Sequence, residues 1–90
     1  MLSEEKNVIK RWKFVCFWAT GHKRGEVNAV QRACAKFAEF LNERSVLPSE
    51  CIIISTENVE KGPFININAL LYTDAPVPTS FHCNIKDARG

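Results

Sequence analysis

The residues best placed to do chemistry in this chain form the short run Gly21-His22-Lys23-Arg24-Gly25. Two glycines allow close backbone approach, while an imidazole and two cations supply donors and positive charge. The run falls between an apolar segment and an amphipathic one, where the start of a helix adds unpaired N–H groups and a positive dipole end. A phosphate, carboxylate or nucleotide is the ligand such a loop attracts, so Gly21, His22, Lys23, Arg24 and Gly25 are the candidate anion-binding residues. The spacing G-x-x-x-G matches neither G-x-x-x-x-G-K-[ST] nor G-x-G-x-x-G, and a solvated basic turn accounts for the same residues.

The sulfur and imidazole groups point less clearly. Cys16, Cys34, Cys51 and Cys83 include no C-x-x-C pair, and each sits in an apolar stretch, the placement of buried thiols used as small hydrophobes. His22 and His82 lie 60 residues apart, which is not a zinc-ligand spacing, so no metal and no cofactor is expected. An enzymatic reading places His82 and Cys83 near Cys16 or Cys51 across a sheet. Neighbouring strand residues face opposite ways, so His82 and Cys83 cannot serve one site together. No Ser/His/Asp order or convergent carboxylates identify catalytic residues.

Lys10, Arg11 and Lys13 around Trp12 have the composition of a weak nucleic-acid surface, with cations for phosphates and an aromatic for stacking. A lysine-guarded strand edge explains them equally. The formal net charge is only +2, yet residues 1–25 carry six basic groups against two acids and the remainder six against eight. This asymmetry is compatible with an anionic partner.

Ninety residues make one domain, with 46% hydrophobic and 24% charged residues as in ordinary globular proteins. No apolar run reaches the ~18–20 residues of a membrane span. The start of the chain lacks the layout of a signal peptide, so a cytoplasmic protein with no membrane partner is expected.

The elements follow from periodicity. Val8–Thr20 is β-branched and aromatic, amphipathic at first and apolar on both faces from Phe14, which predicts a strand that becomes central. Ser3 as an N-cap before Glu4 and Glu5 allows a helical turn to precede it. Val27, Val30, Cys34, Phe37 and Leu41, spaced 3, 4, 3 and 4, predict a helix from about Gly25 to Arg44, and Ala29, Ala33 and Phe40 widen its apolar arc to about 180°. Cys51–Thr56 reads as an apolar strand, Glu57–Pro63 as a polar hairpin loop, and Phe64–Thr73 as an alternating strand. A short strand through Phe81, Cys83 and Ile85 follows the rigid Asp74–Pro78 connection. The order β-α-β-β, with a short C-terminal strand as the fourth, predicts an α+β fold: a two-layer, mixed or mostly antiparallel sheet of three or four strands on one long helix.

One helix covers one face of such a sheet, which leaves apolar surface over. A patch of ~600 Å² gains on the order of 15 kcal/mol gross when buried. A homo-oligomer, a dimer first, is therefore expected, through the uncovered sheet face with Trp12, Phe14 and Trp18 or through a helix edge of Ala29, Ala33 and Phe40. The function this implies is a small self-associating interaction protein. A small-molecule enzyme with its site at the subunit interface is the alternative.

Overall fold

The computed structural model describes residues 9–23, 25–58 and 64–87. The helical turn expected at Ser3–Glu5, Arg24 of the basic loop and residues 59–63 of the expected hairpin loop lie outside the described residues. Five main elements follow one another: β1 (Arg11–Thr20), α1 (Ala29–Glu43), β2 (Cys51–Asn58), β3 (Phe64–Thr73) and β4 (Ser80–Asn84). Short 3₁₀ turns occupy Pro48–Glu50 and Ile85–Asp87. The fold is α+β, with a four-stranded mixed sheet in the order β2-β3-β1-β4.

β3 pairs antiparallel with both β1 and β2, so β1 and β2 run parallel without touching. β4 pairs parallel with β1 from Cys16↔Ser80 to Thr20↔Asn84. The two-residue period of the strands therefore sorts side chains cleanly. Val15, Phe17 and Ala19 on β1, and Ile65, Ile67, Ala69 and Leu71 on β3, are buried under the helix. Their alternate neighbours face the other way.

α1 contributes Ala29, Ala33, Phe37 and Phe40 to that core. Small residues at Ala29 and Ala33 let the helix settle close to the sheet. Phe37 and Phe40 then meet Phe17 at ring-centroid distances of 5.1 and 5.4 Å, and Phe40 meets Phe81 at 4.8 Å. Ala29, Ala33 and Phe40 are thus internal to one chain, at 1, 0 and 3% exposure, and the expected helix edge made of them is corrected. Cys34, placed near the middle of the stripe by spacing, is exposed instead.

Both helix ends also differ from the expectation. The positive φ of Gly25 (+73°) and the turn after it delay the first helical residue to Ala29, four residues beyond the expected start, leaving Val27 90% exposed. At the other end, Ser45 takes the left-handed region (φ 58°). Its N–H donates to the Asn42 carbonyl at 3.0 Å and the Val46 N–H to Leu41 at 2.9 Å. This Schellman closure turns Val46 back beside Leu41 before Pro48 prevents any continuation.

Between Ile53 and Ser55 the β2–β3 register shifts by one residue. Ile54 is the extra residue of this bulge, so Cys51 and Ile53 lie on the helix side while Ser55 and Glu57 lie on the other. No helix among the described residues is long and apolar enough to cross a membrane.

Candidate functional site

Opposite α1, the sheet presents an uncovered face. Cross-strand register arranges it in rows: Trp12 beside Tyr72, then Phe14 beside Leu70 and Ile52, then Cys16 beside Asn68 and Ser55. Trp18 follows beside Asn66 and, across β4, His82. Trp12 is 49% exposed, Phe14 44%, Tyr72 37% and Ile52 51%, and the Trp12 and Tyr72 rings lie 5.2 Å apart. Trp12, Phe14 and Trp18, the sheet-face half of the expected interface, therefore share one face, with Trp18 half-buried.

The polar residues of this face are bonded to one another. Trp18 Nε1 donates to Ser80 Oγ at 3.2 Å, and Thr20 Oγ1 and His82 Nε2 are 2.7 Å apart. Asn68 Nδ2 donates to Ser55 Oγ at 3.0 Å and Asn66 Nδ2 to Glu57 Oε1 at 3.5 Å. A polar group satisfied sideways loses little when its outer side is covered, whereas an orphaned one costs ~1–3 kcal/mol. The alternation read over Phe64–Thr73 already puts Leu70 and Tyr72 on the face opposite Ile65 and Ile67. The cross-strand polar pairs required the register, which sequence does not supply.

The basic loop has a different organisation from the one expected. Gly21 adopts φ +100°, and a Cβ there would stand 2.3 Å from Asn84 Oδ1 and 2.8 Å from the Lys86 backbone N, so close approach to the end of β4 requires glycine. The helix start is displaced to Ala29, and the Glu26 carboxylate occupies the loop. It accepts the Lys23 backbone N–H at 2.9 Å, while its other oxygen is bound by the Arg32 guanidinium. Arg32 also donates to the Ile85 carbonyl at 2.8 Å, tying α1 to the C-terminal turn. The His22 Nδ1 is buried without a partner among the described residues, and the Lys23 side chain is exposed. The Lys23 backbone N–H is thus taken by the chain's own carboxylate, and Glu26 was missed because single acids next to glycine carry no spacing signal.

The Lys23 N–H, followed by the Arg32 guanidinium, holds the Glu26 carboxyl below its ordinary range. A carboxylate depressed in the folded state stabilises the fold above the unfolded value, and this contribution disappears as pH falls through the folded value. Glu26→Gln is therefore expected to lower the melting temperature at neutral pH. The gap from the parent should close in acid, and thermal melts across the acid limb that keep it constant would contradict this assignment.

Two of the cations around Trp12 are engaged within the chain. Lys10 pairs with Glu50 at 2.7 Å and Lys13 donates to the Ala75 carbonyl at 2.7 Å. The thiols are dispersed: Cys16 faces the open side, Cys83 the helix side, and Cys34 and Cys51 a groove between α1 and β2. Burial, with a smaller effect of the Glu57 charge, raises the Cys16 thiol, and burial alone raises Cys51; activated nucleophiles show the opposite shift. His82 stacks on Trp18 at 4.3 Å on the opposite face from Cys83. Among the described residues no group of three or more His, Cys, Asp or Glu side chains could hold a metal. Compared with protein-family models, curated proteins and solved structures, the chain matches none.

Proposed function

We propose that this chain is a self-associating interaction protein whose open sheet face is covered by a second copy. The observation that carries the reading is the contiguous, exposed stripe of Trp12, Phe14 and Tyr72 on the two central strands, with Leu70 and Ile52 continuing it. Half-exposed aromatics leave ~100 Å² each outside, and with their neighbours the stripe reaches ~400 Å² of apolar surface. Strands of ten, eight, ten and five residues, ~4.8 Å apart and rising ~3.3 Å per residue, present a face of about 500 Å², of the same order as the ~800 Å² per partner of a stable interface.

Face-to-face sheets pack ~10 Å apart with their side chains interleaved, and a two-fold axis makes one surface complementary to itself. The polar rows, bonded among themselves and carrying the Glu57 carboxylate, favour this partner over nucleic acid. A polyanion needs cations that are not already committed, and two of the three around Trp12, Lys10 and Lys13, are committed.

The chain's two tryptophans, Trp12 and Trp18, both lie on this face, so intrinsic fluorescence reports on it directly. Dilution from high micromolar to low nanomolar concentration is expected to shift the emission to the red and raise acrylamide quenching. An emission unchanged by dilution, with Trp12 open to the quencher throughout, overturns the reading.

A further inference from the structure

The open sheet face changes character along its strands. The rows near the start of β1 are apolar: Trp12 beside Tyr72, then Phe14 beside Leu70 and Ile52. The last row of this face to cross all four strands runs His82–Trp18–Asn66–Glu57 and carries an ionisable group at each end. His82 on β4 and Glu57 on β2, both exposed, thus stand at opposite edges of the face, about 14 Å apart.

Neither group is neutralised within the chain. His82 Nε2 is 2.7 Å from Thr20 Oγ1 and its ring lies on Trp18 at 4.3 Å, while Glu57 Oε1 accepts only from the Asn66 amide, at 3.5 Å. Among the described residues neither takes part in an ion pair. The imidazole meets Trp18 and Thr20 from β1, with Ser80 and Asn84 beside it on β4, all of them neutral, and the Cys16 thiol lies one row away. Lys23 and Lys86 follow in the turns after β1 and β4; Lys10, at the far end of the face, is tied to Glu50.

We infer that protonation of His82 tightens the pairing of two open faces, because His82 of each copy meets Glu57 of the other across a two-fold axis parallel to the strands; this pairing rests on the open-face reading above. In aligned sheet packing the axis between the layers runs across the strands or along them. An axis across the strands lays the polar row of one copy over the Trp12–Tyr72 row of the other and buries a carboxylate against apolar side chains. An axis along the strands, between β1 and β3, keeps every row over itself and sets β4 of each copy over β2 of the other. Apolar rows then cover apolar rows, and His82 comes over Glu57 twice. Stacked sheets ~10 Å apart lie within the combined reach of a histidine and a glutamate side chain. Protonation converts each contact into an ion pair at the rim, so the pair of copies binds protons more tightly than the separate copies do. Association therefore strengthens as pH falls through the range in which imidazoles titrate.

The test is the dissociation constant of the full-length chain by sedimentation equilibrium at about pH 8 and about pH 5.5, which bracket imidazole titration. The parent is expected to associate about tenfold more tightly at the lower pH, each of the two rim pairs contributing roughly threefold. His82→Gln and Glu57→Gln should each flatten this dependence, and the exchange His82→Glu/Glu57→Lys should restore tight association at both pH values. Circular dichroism at each pH confirms that the variants are folded. Equal association of the parent at both pH values, or a dependence that survives Glu57→Gln, overturns the pairing and leaves the open-face reading intact. No association of the parent or any variant at either pH overturns both.

Discussion

Phe17→Ala is expected to destabilise the fold by ~3–5 kcal/mol, the usual loss when a buried phenylalanine leaves a cavity. Phe17 is 1% exposed and sits between Phe37, Phe40 and Phe81 at 5.1, 5.4 and 5.7 Å, so no single neighbour can collapse into the space. Domains of this size hold ~5–15 kcal/mol in total, and each kcal/mol moves the melting point by ~4–8 °C. A drop of about 15–30 °C should follow in thermal unfolding. Phe14→Ala is the internal control. It removes the same side chain three residues earlier on the same strand, but from the open face, where Phe14 is 44% exposed. Within the single chain it should cost under ~1 kcal/mol. Equal losses in monomeric backgrounds would show that the two faces of β1 have been misassigned.

Trp12→Lys combined with Phe14→Lys is expected to abolish association through the sheet face while leaving the fold in place. Covering ~400 Å² of apolar surface on each copy is worth about 20 kcal/mol gross at ~25 cal/mol per Å². Lost translational and rotational freedom takes back ~4–15 kcal/mol, and ordered side chains take more. The surplus is small enough that two buried lysines, unpaired and facing their own images across the axis, reverse its sign. Neither side chain belongs to the core cluster, so circular dichroism should stay close to that of the parent.

Much of this architecture was legible because it rests on period alone. β3 alternates Ile65, Ile67, Ala69 and Leu71 against Asn66 and Asn68 over ten residues, and the structure buries the first set. Spacing also found the helix but centred its apolar stripe nearer Cys34 than the buried Ala33 and Phe37. Cys34 and Phe37 score alike in a hydrophobic stripe, and only the cluster of Phe17 and Phe81 rotates Phe37 and Phe40 inward. Those rings come from strands 20 or more residues away in the chain, so no local window contains the information. The parallel pairing of β4 with β1 and the bulge at Ile54 are likewise settled between strands.

The candidate site divides the same way. Trp12, Phe14 and Trp18 were identifiable as a face in surplus because one helix cannot cover both sides of a sheet. The basic loop was read without the Glu26 carboxylate three residues beyond Lys23, which competes directly with any anion from solution for the Lys23 N–H.

Light scattering coupled to size exclusion, run on the parent chain beside Trp12→Lys/Phe14→Lys, weighs the assembly itself. The parent should elute at about 20 kDa, twice the 10.2 kDa of one chain, or at a multiple of that, and the double variant at a lower mass at the same micromolar concentration. A parent that runs as a single 10.2 kDa species there, indistinguishable from the variant, contradicts the assignment of the open face to a second copy.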